Sequence, residues 1–241
     1  KTVTLIEKLR DTRALVGFTR VRPFDEAGKS VRELIRQITP SMRQLPVDVV
    51  RGEGIFLELD RHRLEQWVAT PAVQGRLRKL PPEKLQALQV DHKEPAVFLL
   101  LHTLAHILIN ELCLISGYNN ASLRERIYCT AVNGHPMHGI LIYTSSGDAE
   151  GSLGGLVRNG KPGQIEPLLL SALQKADWCS SDPVCGEVIP QGHEGSNLAA
   201  CHNCCLLPET SCEFMNASLD RGLLRGSISD GTFGFFNSLT L

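Results

Sequence analysis

Five cysteines crowd the last third of the chain with the spacing Cys179-x5-Cys185-x15-Cys201-x2-Cys204-x7-Cys212, and Cys205 sits beside Cys204. A CxxC turn brings two thiolates to one ion with little strain. Thiolates from nearby loops can complete a tetrahedral site with Zn–S bonds of about 2.3 Å. The intervening segments, SSDP and LLPETS, are polar loops of the kind a metal orders. No βαβ start precedes the CxxC, so a thioredoxin-like role does not fit. Zinc is the expected cofactor, held by Cys201, Cys204 and Cys212 with Cys185 or Cys179. Four ligands suffice, so one of the five is a bystander. Free buried cysteines and an iron–sulfur cluster are the competing readings. A closed four-thiolate site leaves no position for a substrate, so the metal reads as structural.

A second group is the polar stripe His102, His106 and Asn110, with Thr103 beside it, in the otherwise apolar run 96–117. Residues four apart share a helix face. HTLAH lacks the Glu after the first His that a zinc protease uses. The expected role is a satisfied buried stripe whose partners lie on the strand 139–144 or the turn after it. A hydrolytic site built from His102, His106, Asp148 and Glu150 is the alternative. The turn GDAEGSLGGLVRNG has neither P-loop nor GxGxxG spacing, and its acidic residues would repel a phosphate.

These groups need elements to hold them. Residues 3–14 read as a helix through Leu5 and Leu9, and 15–22 as a strand ended by Pro23. A loop over 25–30 and a short helix over 31–38 follow. Val47–Val50 and Ile55–Leu59 read as two strands about a Gly52–Gly54 turn. Asp60 caps a helix carrying Leu64 and Trp67. Residues 70–93, with three prolines, read as irregular. Glu94–Pro95 opens a long helix that Gly117 ends. Residues 122–129 are a short helix or the approach to a strand, and 139–144 a strand buried on both faces. An amphipathic helix runs over 164–178, a short one over 219–224, and the tail after Gly226 frays. The fold class is α/β or α+β, a central mixed sheet with flanking helices and a cysteine-rich zinc-binding subdomain near the C-terminus. The expected division is a basic region 1–93 that ends a preceding domain, a core 94–178, a zinc-binding subdomain 179–226 and a tail 227–241.

Composition sets the frame. The 241 residues are 42% hydrophobic and 21% charged, ordinary for a globular protein and unlike a disordered chain or a coiled coil. The run 96–117 is long enough to span a bilayer, but ionisable groups near its middle would each cost about 2.5–3.5 kcal/mol there. A buried helix and no membrane partner are expected. No signal sequence opens the chain, which points to a reducing, cytoplasmic setting and to metal rather than disulfides. The net charge of −1 hides an asymmetry: residues 1–93 hold 18 basic against 12 acidic side chains, and the remainder 7 against 14. Internal complementarity accounts for this; so would a nucleic acid partner. The candidate DNA contacts are Arg61, Arg63, Arg76, Arg78 and Lys79.

The run HTLAHILINELCLISGYNNASLRERIY, then GILIYTSSGDAEGSLGGLV, WCSSDPVC, NLAACHNCCLLPETSCE and LDRGLL resembles the DrmB family of the DISARM anti-phage defence system. More broadly it is similar to the zinc-binding C-terminal domain of MrfA-type DNA-repair helicases. The resemblance covers residues 95–225 strongly and 1–94 loosely. It implies a zinc-binding domain that works beside a superfamily 2 helicase, the DrmA subunit in DISARM, on invading DNA. It places the family's cysteine pattern on Cys179, Cys185, Cys201, Cys204 and Cys212. Cys205 departs from that pattern and could substitute for Cys204 as a ligand. No Walker A or DEAD-type motif occurs, so ATP hydrolysis is expected elsewhere. The reading is a non-catalytic accessory domain, with a phosphodiester hydrolase or a pure protein–protein scaffold as alternatives.

Overall fold

The computed structural model describes residues 2–15, 45–92, 94–132, 135–144 and 155–238. The expected strand 15–22 (beyond Leu15), the loop 25–30, the helix 31–38, and the Asp148 and Glu150 of the glycine-rich turn lie outside these residues.

Two long strands open the chain, β1 (Thr2–Ala14) and β2 (Val47–Glu58). They pair antiparallel, with a register shift between Ile6 and Leu9. Residues 3–14 are therefore a strand and not the expected helix. β2 is likewise one strand rather than two around a turn. Its Gly52 serves close approach: a Cβ there would meet Thr144 Oγ1 at 2.2 Å. Three helices follow, α1 (Arg61–Val68), α2 (Pro71–Leu77) and α3 (Pro82–Asp91). The Asp60 carboxylate caps α1 through the Arg63 amide, as expected. Residues 70–93, expected to be irregular, are mostly helical. Pro71 and Pro82 stand in the first turns of α2 and α3, where a missing N–H costs nothing.

α4 (Pro95–Ser116) is the central element. Pro95 starts it, and Gly117 ends it at φ 71°. It is long and apolar enough to cross a membrane, yet 83% of its most apolar window is buried inside the protein. Then come β3 (Leu123–Tyr128), the short pair β4 (Ala131–Val132) and β5 (His135–Pro136), and β6 (Gly139–Thr144). The main sheet runs β1-β2-β6-β3. Its described ladders are all antiparallel, so the expected mixed sheet is an antiparallel one and the fold is α+β. Every residue of β6 is buried, which accounts for its unbroken apolar sequence. The chain closes with α5 (Gly155–Asn159), α6 (Ile165–Ala176), α7 (Val184–Glu187) and α8 (Gly222–Arg225). α6 buries Ile165, Leu168, Ala172, Leu173 and Ala176, as its periodicity predicts. Within the described residues the tail after Gly226 does not fray: Phe233, Phe235 and Phe236 are buried. The Trp67 indole donates to the Phe233 carbonyl at 2.9 Å and meets the Phe235 ring edge-on.

One ion pair ties the N-terminal helices to the C-terminal region. Arg76 meets Asp220 in a two-point fork, at 2.8 and 2.9 Å, with both side chains almost fully buried. Removing one partner of such a pair strands the other charge. Arg76→Leu is expected to lower stability by about 3–5 kcal/mol in urea titrations. A loss under about 1 kcal/mol would show that Asp220 is held by its amide donors alone.

Candidate metal centre

The cysteine-rich segment folds as loops around α7. Cys179 lies just after α6, where its amide donates to the Asp182 carboxylate at 2.8 Å. Cys185 is in α7. Cys201 and Cys204 form the CxxC turn, closed by the Cys204 amide to the Cys201 carbonyl at 3.1 Å. The four sulfurs lie within 4.8 Å of one another. Three separations are 3.5 Å (Cys179–Cys201), 3.7 Å (Cys185–Cys204) and 3.7 Å (Cys201–Cys204). Four thiolates about 2.3 Å from a central zinc sit near 3.8 Å apart, so the arrangement fits a tetrahedral Zn–S4 centre. It does not fit disulfides, whose S–S bonds are near 2.05 Å, and all eight cysteines are free.

Without an ion the cluster holds most of its thiols protonated: burial pushes Cys179 up, Cys185 and Cys204 also lie above the usual range, and only Cys201 lies below it, although amides are aimed at two of the sulfurs. The Ser181 amide donates to Cys179 Sγ, and the Cys201 amide to Cys204 Sγ. Arg221 is anchored by the Ala176 carbonyl and by Asp182, which sets its positive charge where it favours an ionised Cys185. A bond to Cys204 and burial push the Cys185 thiol up, while Arg221 opposes them. Burial also acts against ionised Cys201, but the Asn203 amide and the three neighbouring thiols outweigh it and hold Cys201 below the usual range. A divalent cation displaces the remaining protons.

The structure brings four of the five expected cysteines together and sets Cys212 apart. Cys212 Sγ lies against His102 Nε2 at 3.2 Å, in a separate group with His106 and Glu125. Cys205 is fully buried among apolar side chains and does not replace Cys204. The histidine stripe is buried, but its partners differ from those expected. Among the described residues they are Glu125 on β3 and the carbonyls of Ser218 and Cys205, not β6; the glycine turn over 145–154 lies outside the described residues. Spacing along α4 marked the two histidines; nothing in the sequence tied Glu125 to them.

The basic candidates scatter. Arg76 is sequestered with Asp220 and has no surface to offer a phosphate. Arg63 lies over the Phe235 ring and donates to Ser238 Oγ, and Arg61 pairs with Glu65. Arg78 and Lys79 are exposed.

Cys204→Ser is expected to cost one equivalent of zinc per chain by metal analysis. It should raise proteolysis within 179–225 and leave the 95–176 core folded. Cys205→Ala is expected to keep the metal. Full zinc retention by Cys204→Ser would remove that sulfur from the centre.

Residues 104–205 match the family described as MZB, MrfA Zn-binding domain. All four clustered cysteines fall within that match, and zinc is the metal that the donor set and the family support. The chain is also 35% identical to the DISARM protein DrmB of Bacillus paralicheniformis, over 96% of its own length and 42% of the relative's. The likeness read from the cysteine-rich region and the strand before it therefore holds: the chain carries an MrfA-type Zn-binding domain match within a stretch similar to DrmB from end to end.

Proposed function

We propose that this chain is a non-catalytic accessory region, stapled by zinc at Cys179, Cys185, Cys201 and Cys204. In this reading it supports a DrmA-like superfamily 2 helicase and DNA during anti-phage defence in the prokaryotic cytoplasm. The observation that carries the proposal is the closed four-sulfur cluster. Its four donors use every position of a tetrahedral ion, which leaves none for a substrate. Similarity to DrmB supports the defence setting, and the MrfA match supports the helicase one. The chain spans less than half of that relative, so the partners belong to this proposal.

A hydrolase at His102 and His106 has less support. Both imidazoles are fully buried, and a general base must reach the proton it abstracts.

The β1–β2 ribbon adds a reason to expect a polyanion. Arg10 stands opposite Arg51 in the ladder, and both are exposed. Like charges directly opposite each other destabilise a strand pair, and a phosphate between them turns repulsion into attraction. Lys8, on the same strand as Arg10, is also exposed, as are Arg78 and Lys79 at the end of α2.

Replacing Arg10, Arg51, Arg78 and Lys79 together by Ala is expected to weaken DNA binding for every sequence tested. It should also flatten the salt dependence by about 0.9 in the log–log slope for each phosphate that is no longer neutralised. Filter binding at several salt concentrations measures both. Unchanged affinity and slope would return these residues to ordinary solvated surface. Co-purification of the helicase subunit with wild type but not Cys204→Ser tests the partner.

A further inference from the structure

We propose that His102, His106, Glu125 and Cys212 form a second metal site, separate from the four-cysteine centre, that takes one tetrahedral divalent cation of the zinc class. The four donor atoms come from three parts of the fold, the helix α4, the strand β3 and the loop after Pro208, and lie within 4.8 Å of one another. All four residues are buried.

Proton positions carry the argument. His106 Nδ1 lies 2.8 Å from the Cys205 carbonyl, and His102 Nδ1 lies 3.3 Å from the Ser218 carbonyl. A carbonyl only accepts, so both Nδ1 atoms carry the ring proton. In the neutral rings, each Nε2 then presents a lone pair. Those lone pairs face Glu125 Oε1, at 2.9 Å from His102 and 3.2 Å from His106. His102 Nε2 also faces Cys212 Sγ at 3.2 Å. Two imidazole lone pairs aimed at one carboxylate oxygen repel it, and a cation among them turns that repulsion into coordination, with the Cys212 sulfur as the fourth donor.

The surroundings suit a metal ligand set. Glu125 Oε2 is buried with no hydrogen-bond partner among the described residues. The amides of Phe214 and Asn216 both donate to Cys212 Sγ at 3.3 Å, which favours a thiolate. The turn that aims them holds Met215 and Asn216 at φ 51° and 58°, left-handed conformations that non-glycine residues adopt at a cost. The Nδ1–carbonyl bonds supply the outer-shell support that orients metal-bound imidazoles. Phe98 and Phe214 pack against His102 and keep water out. Charge closes the case: one carboxylate and one thiolate neutralise a divalent ion, and a neutral centre avoids most of the cost of burying ions. Donor separations near 3 Å fit tetrahedral edges of roughly 3.3–3.6 Å once the ion draws its ligands to bonding distance. Mixed N, O and S donors suit zinc. With four protein ligands the site is closed and structural.

The test is zinc counted on the purified protein, with sulfur coordination read by X-ray absorption. Wild type is expected to hold two zinc ions per chain, with first shells averaging fewer than four sulfurs. Cys212→Ala and His106→Gln should each lose one equivalent and raise the mean sulfur number toward four. Their surviving zinc, together with far-UV circular dichroism, reports whether the chain remains folded. Cys204→Ser should lose the other equivalent and lower the mean sulfur number. One zinc per wild-type chain in an all-sulfur shell, retained by Cys212→Ala, would overturn the second site. One zinc lost in Cys212→Ala but kept in Cys204→Ser would support this site and sink the four-cysteine reading instead. Two zinc ions retained by folded Cys212→Ala and His106→Gln would also overturn it.

Discussion

Everything else depends on a polar stripe running down a helix with almost no access to water. α4 buries His102, Thr103 and His106 among leucines, and buried polar groups without partners would cost about 1–3 kcal/mol each. Their partners come from distant segments. Thr103 Oγ1 donates to the Leu99 carbonyl and accepts from the Asp220 amide at 2.9 Å. His102 and His106 donate from Nδ1 to the Ser218 and Cys205 carbonyls and turn Nε2 toward Glu125. Satisfying the helix therefore fixes where β3, the CxxC turn and the C-terminal loops must lie.

Asp220 passes this constraint outward. Its amide binds Thr103, and its carboxylate takes Arg76 and the amides of Ala199 and Gly222. Arg76 lies over the Phe233 ring, 5.1 Å from its centroid. The neighbouring Arg221 bonds Asp182 and acts electrostatically on Cys185. Two consecutive residues thus join the buried helix, the N-terminal helices and the four-cysteine cluster. Arg221 also places positive charge beside a centre that carries excess negative charge once four thiolates surround a divalent ion.

What the sequence revealed follows the range of the forces involved. Local signals read correctly: the Asp60 cap, the Pro95 start and Gly117 stop of α4, and the period of α6. The strand 139–144 read correctly because burial on both faces left an unbroken apolar run. β1 misled because Leu5 and Leu9 fit a helical spacing, whereas its partner β2 lies more than thirty residues away. Pro71 and Pro82 suggested breaks but start helices. Gly52 suggested a turn but admits Thr144. At the cluster the CxxC was legible, but Cys212 was expected among its ligands and only one of Cys179 and Cys185, whereas the cluster gathers both of these and not Cys212. That difference turns on which sulfur faces the histidines across the sequence, a distance of over a hundred residues.

Cys204 and Cys205 show how closely the two metal-competent groups are joined. Cys204 Sγ faces Cys185 and Cys201, while the carbonyl of the next residue accepts the His106 ring proton. Drawing Cys204 toward an ion therefore loads the peptide that orients His106. His106 in turn meets Glu125, whose own amide donates to the Ser211 carbonyl, one residue before Cys212. The path from one group to the other consists of buried hydrogen bonds and adjoining peptide units. Bonds of this kind tolerate little displacement before their geometry fails. The loops that carry the cysteines have little regular secondary structure of their own, so their positions rest on these bonds and on whatever ion the sulfurs hold. Order in the C-terminal third is thus a property of the two groups acting together with α4.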